Sequence, residues 1–195
     1  MTGTAGDPVL SAVEAAFAEH FAQVPLRASV SFVGVDPIEI LRFEPIPDER
    51  AYLSLGMSRH PMTGGAESFV ATDGPRAELM LHLRDPGDRH ADVWRRLALL
   101  AAAPAVESVV YAEGMTLDLG EPLVPGSQCV GVVVAGAPVP PVSTAAGEVA
   151  VFQVVPATAN ELAWARVRGG GELLARLREP GIDLLDLTRA QVPLD

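Results

Sequence analysis

The segment Gly56-Met57-Ser58-Arg59-His60 sets a serine two residues before a histidine at the end of an apolar run, and Glu78 precedes a second such run. The first chemistry to weigh is therefore acyl transfer. A nucleophile elbow reads G-x-S-x-G, its last glycine permitting a sharp strand-to-helix turn. Here His60 stands in place of that glycine and Pro61 follows, so the chain is poorly suited to turn into a helix. A serine and its base also normally meet from distant segments. Ser58 accordingly reads as a strand end whose hydroxyl bonds local backbone, and Ser58, His60 and Glu78 remain the set that an uncharacterised hydrolase-like enzyme would use. On an alternating strand Glu78 shares a face with Met80 and His82, where an ion pair or hydrogen bond accounts for it.

Other chemistry has thinner support. His20, His60, His82 and His90 include no pair at the i, i+4 spacing of a helical metal site, and no cysteine cluster joins them. Convergence of His60, His82 and Asp92 is the one metal trio worth naming. Cys129 lies in the apolar run Cys129 to Val134 and reads as an inert buried thiol. Gly169-Gly170-Gly171 lacks the Gly-Lys-Ser/Thr ending of a phosphate loop and reads as a flexible turn. Thr158-Ala159-Asn160-Glu161 fits a capping box, in which the threonine hydroxyl and the glutamate carboxylate satisfy each other's backbone amides. No catalytic residue, metal or cofactor is assigned.

These residues need elements to hold them. Asp7 and Pro8 open a helix whose apolar stripe is Val9, Val13, Ala16, Phe17 and Phe21. Strands are expected at Ala28 to Val35, Ile38 to Phe43 and Ala51 to Met57, then a long loop from Arg59 to Pro75 and a half-buried strand from Arg76 to Leu83. A helix from about His90 to Ala103, capped by Asp88 and ended by Pro104, carries Val93, Trp94, Leu97, Leu100 and Ala101. Strands follow at Ser108 to Ala112, Thr116 to Leu119, Cys129 to Ala135 and Glu148 to Val155, with Pro156 marking the last exit and Pro138 to Pro141 a loop. Two helices close the chain, near Asn160 to Val167 and Gly171 to Glu179.

The 195 residues suit one domain, and 49% hydrophobic residues supply a core. A single cysteine excludes an intrachain disulfide and favours a reducing compartment. No basic leader and no run of about 18 apolar residues occurs, so a cytoplasmic location without membrane insertion is expected. The formal net charge is −11, every cation is arginine, and no arginine occurs between Leu97 and Ala165. That balance argues against nucleic acid, whose phosphates demand cations, and suits a basic protein partner. It also serves plain solubility. Glu113, Asp118 and Glu121, from the arginine-free segment, are the candidate protein-binding residues.

Three patterns in order, Gly56-Met57-Ser58, Glu78-Leu79-Met80 and Val155-Pro156-Ala157-Thr158 through Glu161-Leu162, resemble the suppressor-of-fused domain family. Trp94 with Leu97 and Leu100, then Leu173-Leu174 and a late Asp186 and Arg189, extend the resemblance over residues 42–191. Residues 1–41 are the N-terminal helix and first strands of the same domain, and 192–195 form a tail. One departure is Arg84-Asp85-Pro86-Gly87, where members often carry a proline and a tryptophan. The resemblance implies an α+β fold, a mixed and largely antiparallel sheet with helices packed on it, in a single domain. It further implies a protein that binds proteins rather than an enzyme, with Gly56, Met57, Ser58, Glu78, Leu79, Pro156, Thr158 and Glu161 as structural signatures. The animal member clamps a peptide of a transcription factor between two lobes, of which this chain resembles one. Bacterial relatives are proposed to be immunity proteins that neutralise toxins, and an acidic surface fits a basic toxin or another regulated protein. A self-assembling structural module is the third alternative.

Overall fold

The computed structural model describes residues 6–64, 73–90 and 92–194. Eight strands form one mixed sheet in the order β1-β2-β3-β4-β8-β6-β5. They are β1 (Leu26–Val30), β2 (Ile38–Phe43), β3 (Glu49–Leu55), β4 (Arg76–Arg84), β5 (Thr116–Asp118), β6 (Cys129–Gly136), β7 (Val142–Thr144) and β8 (Gly147–Thr158). Every pairing is antiparallel except β4 with β8, and β7 makes a hairpin with the start of β8. The helices are α1 (Pro8–Phe21), α2 (Val93–Glu107), α3 (Ala159–Arg168) and α4 (Gly170–Leu177). The α+β class with a largely antiparallel sheet is as expected from the sequence.

Side-chain alternation along β8 sorts the helices between the two faces. Val149 and Val151 pack under α1 with Leu10, Val13 and Phe17, and Val155 and Ala157 pack under α3 and α4 with Leu162 and Leu173. Val154 and the half-buried Ala150 and Phe152 point the other way, to α2 and its Leu97 and Ala101. The middle of the sheet is covered on both faces. Consequently β4 is buried along nearly its whole length rather than half-buried, as a central strand with a parallel neighbour should be.

Several boundaries differ from expectation for local reasons. The first strand is Leu26–Val30, because a turn at Phe32 to Val35 with Gly34 at φ 79° leaves Val33 in solvent. The third stops at Leu55, and Met57–Arg59 is a 3-10 turn. Ser108 takes a left-handed conformation that ends α2, and no strand occupies 108–112. Pro104 lies inside α2 and does not end it. Strand β8 runs through Pro156 to Thr158, since beyond Gln153 only β6 pairs with it and one side requires no ladder donor. The strand β7 was not anticipated. Of the expected Arg59-to-Pro75 loop, positions 65–72 lie outside the described residues, as does position 91 of the expected second helix.

Candidate functional site

Two signature patterns meet around Glu78. Pairing of β3 with β4 ends at Leu53 and Met80. Past that point Ser54 fills the gap, its Oγ accepting from the Leu79 amide at 2.8 Å and lying 2.5 Å from Glu78 Oε2. The other carboxylate oxygen, Oε1, accepts from the Gly56 amide at 2.9 Å, the Ser58 amide at 3.0 Å and the Ser58 hydroxyl at 2.7 Å. Glu78 thereby holds the start of the 3-10 turn, as a carboxylate holds the free amides of a helix end. Gly56 is required there: its φ is 138°, and a Cβ would lie 2.9 Å from the Pro37 carbonyl oxygen. Arg76 ties down the far end, donating from Nη1 to the carbonyls of Ser58 at 2.8 Å and Arg59 at 2.6 Å.

Ser54, Ser58 and Glu78 are all fully buried, and among the described residues no ion pair reaches Glu78. Burial pushes the Glu78 carboxyl up, against hydrogen bonds from Ser54, Ser58 and the Gly56 and Ser58 amides that pull it down. Ser58 therefore has neither exposure nor a histidine. His60 instead turns outward, with Nε2 2.9 Å from Asp36 Oδ2. A groove of about 300 Å³ beside the turn is walled by Ile38, Met57, His60, Ala101 and Pro104, and neither Ser58 nor Glu78 lines it.

The third signature closes a second interior cluster. Thr158 and Glu161 form the expected capping box, with Glu161 Oε2 2.7 Å from the Thr158 amide and Thr158 Oγ1 3.3 Å from the Glu161 amide. The fork of Arg189 adds bonds to both oxygens of Glu161, at 2.7 and 2.9 Å, and to the Pro156 carbonyl at 2.8 Å. The Val192 amide donates to Glu161 Oε1 at 2.8 Å. Burial alone would raise the Glu161 carboxyl, but the bonds from Arg189 and from the Thr158 and Val192 amides outweigh it and hold the group below the ordinary range. The result pins the C-terminal segment to the exit of β8.

Positions in the arginine-free segment lie outside both clusters. Glu113, Asp118 and Glu121 are exposed near the β5 edge. Asp118 pairs with Arg166 at 3.1 Å and Glu121 with Arg96 at 2.7 Å, while Glu113 makes no ion pair among the described residues. His82 contacts Glu49, Asp92 contacts Arg95 and His60 contacts Asp36, so the metal trio does not assemble. Among the described residues no group of three or more metal-type ligands forms. Cys129 is buried, with its thiol pushed up by burial. Of the three glycines Gly169 to Gly171, Gly170 serves close approach, since a Cβ there would lie 1.8 Å from the Gly114 carbonyl oxygen, and Gly169 takes a φ of 95° between α3 and α4. No helix among the described residues is long and apolar enough to cross a membrane.

Sequence reasoning missed Ser54, Arg76 and Asp36. A serine set among the apolar residues of Ala51 to Leu55, and an arginine at the head of the strand that carries Glu78, were the signals available for the first two.

Fold and clusters together define an α+β domain whose signature polar residues are bound up in its interior scaffold. The family model described as suppressor of fused protein matches residues 34–190, and the chain belongs to that family. In the solved structure titled as the Sufu–Fu complex, a chain 18% identical matches with TM-score 0.67 over 97% of this chain and 91% of its own. Drosophila Suppressor of Fused, 18% identical, matches with TM-score 0.66 over 97% of this chain, which spans only 51% of that one. A putative suppressor-of-fused homologue from Neisseria gonorrhoeae, 19% identical, matches with TM-score 0.66 over 97% of both chains. A search of curated proteins found no match.

Proposed function

We propose that this chain is a non-enzymatic protein-binding domain of the suppressor-of-fused type that engages a basic protein, with neutralisation of a toxin as its particular form. One observation carries the non-enzymatic reading. Ser58 and Glu78, the residues an enzyme would need, are fully buried and bonded to each other and to backbone, away from the groove beside them. Catalytic groups need access to substrate and a base within reach. The binding half rests on family membership, on a relative solved in complex with Fu, and on a net charge of −11 that suits a basic partner.

The test is affinity capture with the tagged full chain from its native lysate at low and high salt, followed by reconstitution with the purified partner. A single basic protein held at low salt and released at high salt, with its own activity suppressed on binding, supports the proposal. Capture of an acidic protein, or a complex indifferent to salt, overturns the electrostatic form. Esterase or peptidase turnover by the wild type that Ser58→Ala abolishes overturns the non-enzymatic form.

A further inference from the structure

The two ends of the sheet are guarded unequally. Strand β5 has only three residues and packs beside α3, whose Arg166 bonds Asp118. Strand β1 has five, and among the described residues nothing pairs with its outer edge. Such an edge presents unpaired amides and carbonyls that invite a further strand, and proteins blunt it with lysine, proline, bulges or a cover. The chain has no lysine, Pro25 lies ahead of the strand, and β1 pairs with β2 without a bulge. The one cation of β1, Arg27, is already turned to Glu14 and Glu39. Val24, Leu26 and Val33, three large apolar side chains left in solvent, lie along or beside this edge.

The occupant that the strand itself fits is a second copy. Two copies related by a two-fold axis pair antiparallel, and each register is centred on one residue that faces itself. Centring on Arg27 sets cation against cation, which is destabilising across a ladder. Centring on Ser29 leaves Leu26 and Arg27 opposite residues beyond the strand's end. Only Ala28 as the centre pairs all five residues, with Leu26 opposite Val30 and Arg27 opposite Ser29. The existing register then extends each row. Leu26 joins Val30 and Ile38 of the second copy, on the apolar face that α2 covers. On the other face Arg27 meets Ser29 of the second copy and, one strand further, its Glu39. Cation and carboxylate thus complement each other across the joint.

We propose that β1 is a self-association edge, through which two copies of this chain join antiparallel about Ala28 and merge their sheets. The contact is small, so the dimer is of the weak, reversible kind. It leaves Glu113, Asp118 and Glu121, at the opposite end of the sheet, free for another protein.

Sedimentation velocity on the full chain from about 10 μM to about 1 mM, the range of weak contacts, should show a monomer–dimer equilibrium. Salt at about 0.15 M screens the repulsion between two chains of −11 beyond roughly 8 Å and leaves touching groups coupled. Ser29→Glu, opposite Arg27, should tighten the dimer at least threefold although it adds negative charge to each chain. Ser29→Arg should weaken it at least threefold although it lowers the net charge. Ser29 is exposed, so both variants should keep the thermal midpoint of the wild type within a few degrees. Facing residues have Cα atoms about 4.5–5.5 Å apart, within disulfide reach. Under mild oxidation Ala28→Cys should therefore cross-link much faster than Leu26→Cys, with the buried Cys129 taking no part. A monomer at every concentration overturns the proposal. So does a dimer on which Ser29→Glu and Ser29→Arg act alike, or one that cross-links Leu26→Cys as readily as Ala28→Cys.

Discussion

Glu78 combines full burial, bonds from Ser54, Ser58 and Gly56, and no ion pair among the described residues. Its folded carboxyl is raised by burial above the ordinary value. The protonated group therefore favours the fold, and that contribution is complete below the unfolded value of about 4.3 and lost as pH climbs through the folded one. Glu78→Gln mimics the protonated form, its oxygen taking the Gly56 and Ser58 donors and its amide donating to Ser54. Urea denaturation should find Glu78→Gln more stable than wild type at pH 8 and closer to it at pH 5. Parallel pH profiles for the two proteins would sink this account. Glu78→Ala should lose about 4 kcal/mol at pH 5, because it strands buried donors at about 1–3 kcal/mol each, and less at pH 8, where the wild type has lost the protonated form. Glu161 has the opposite sign: its lowered carboxyl stabilises above the unfolded value, and that share is lost as pH falls through the folded one. Arg189→Met leaves this buried charge unpaired and should cost about 3–5 kcal/mol. Arg166→Met, breaking the exposed pair with Asp118, should cost about 1 kcal/mol or less on the same assay.

At the scale of an element, α2 carries its own repair. A proline within a helix cannot donate to the carbonyl four residues back, here Leu100. That carbonyl instead accepts from the Tyr111 hydroxyl at 2.7 Å, after the chain has turned back past Ser108. Burial raises the Tyr111 hydroxyl, so it is a donor across the physiological range. Tyr111→Phe should cost about 1–2 kcal/mol, since it orphans a buried carbonyl. In a Pro104→Ala background a backbone amide is restored at position 104, and the same change should cost much less. A double-mutant cycle by denaturation measures the difference, and additive single effects would refute the pairing. The Pro104 stop expected from sequence failed for this reason: a breaker is tolerated where a distant hydroxyl meets the freed carbonyl, and Tyr111 gives no such sign in sequence. The Asp88 cap failed similarly. Asp88 bonds Arg50 and Arg42, while the buried Asp85 accepts from the His90 amide before the helix.

For the whole molecule the relevant quantity is its field. A charge of −11 should speed encounter with a cation-rich partner, and at about 0.1 M salt that reach falls to roughly 10 Å. Arg166 and Arg96 already offset Asp118 and Glu121, leaving Glu113 the strongest local source of the trio. Glu113→Arg should therefore slow association with the captured partner several-fold at low salt. Reversal at Asp118 or Glu121 should slow it less, and about 0.5 M salt should remove the differences. Stopped-flow association rates across a salt series check this, and equal rates for wild type and Glu113→Arg at low salt would place the contact surface elsewhere.

Local order was legible from the sequence because its causes are local. The Asp7 cap, the span of β2 from Ile38 to Phe43 and the Thr158 capping box each depend on neighbours within a few residues, and all stand where local sequence signals put them. The order of the three signature patterns was enough to indicate the family. What those residues do was decided only in three dimensions. Glu78 meets Ser58 across 20 positions and Glu161 meets Arg189 across 28. Tyr52 and Arg42 share a row because a hairpin register sets them opposite. Charge, burial and hydrogen-bond satisfaction belong to such assembled surroundings, so residue types alone could not separate a catalytic serine from one that holds a turn.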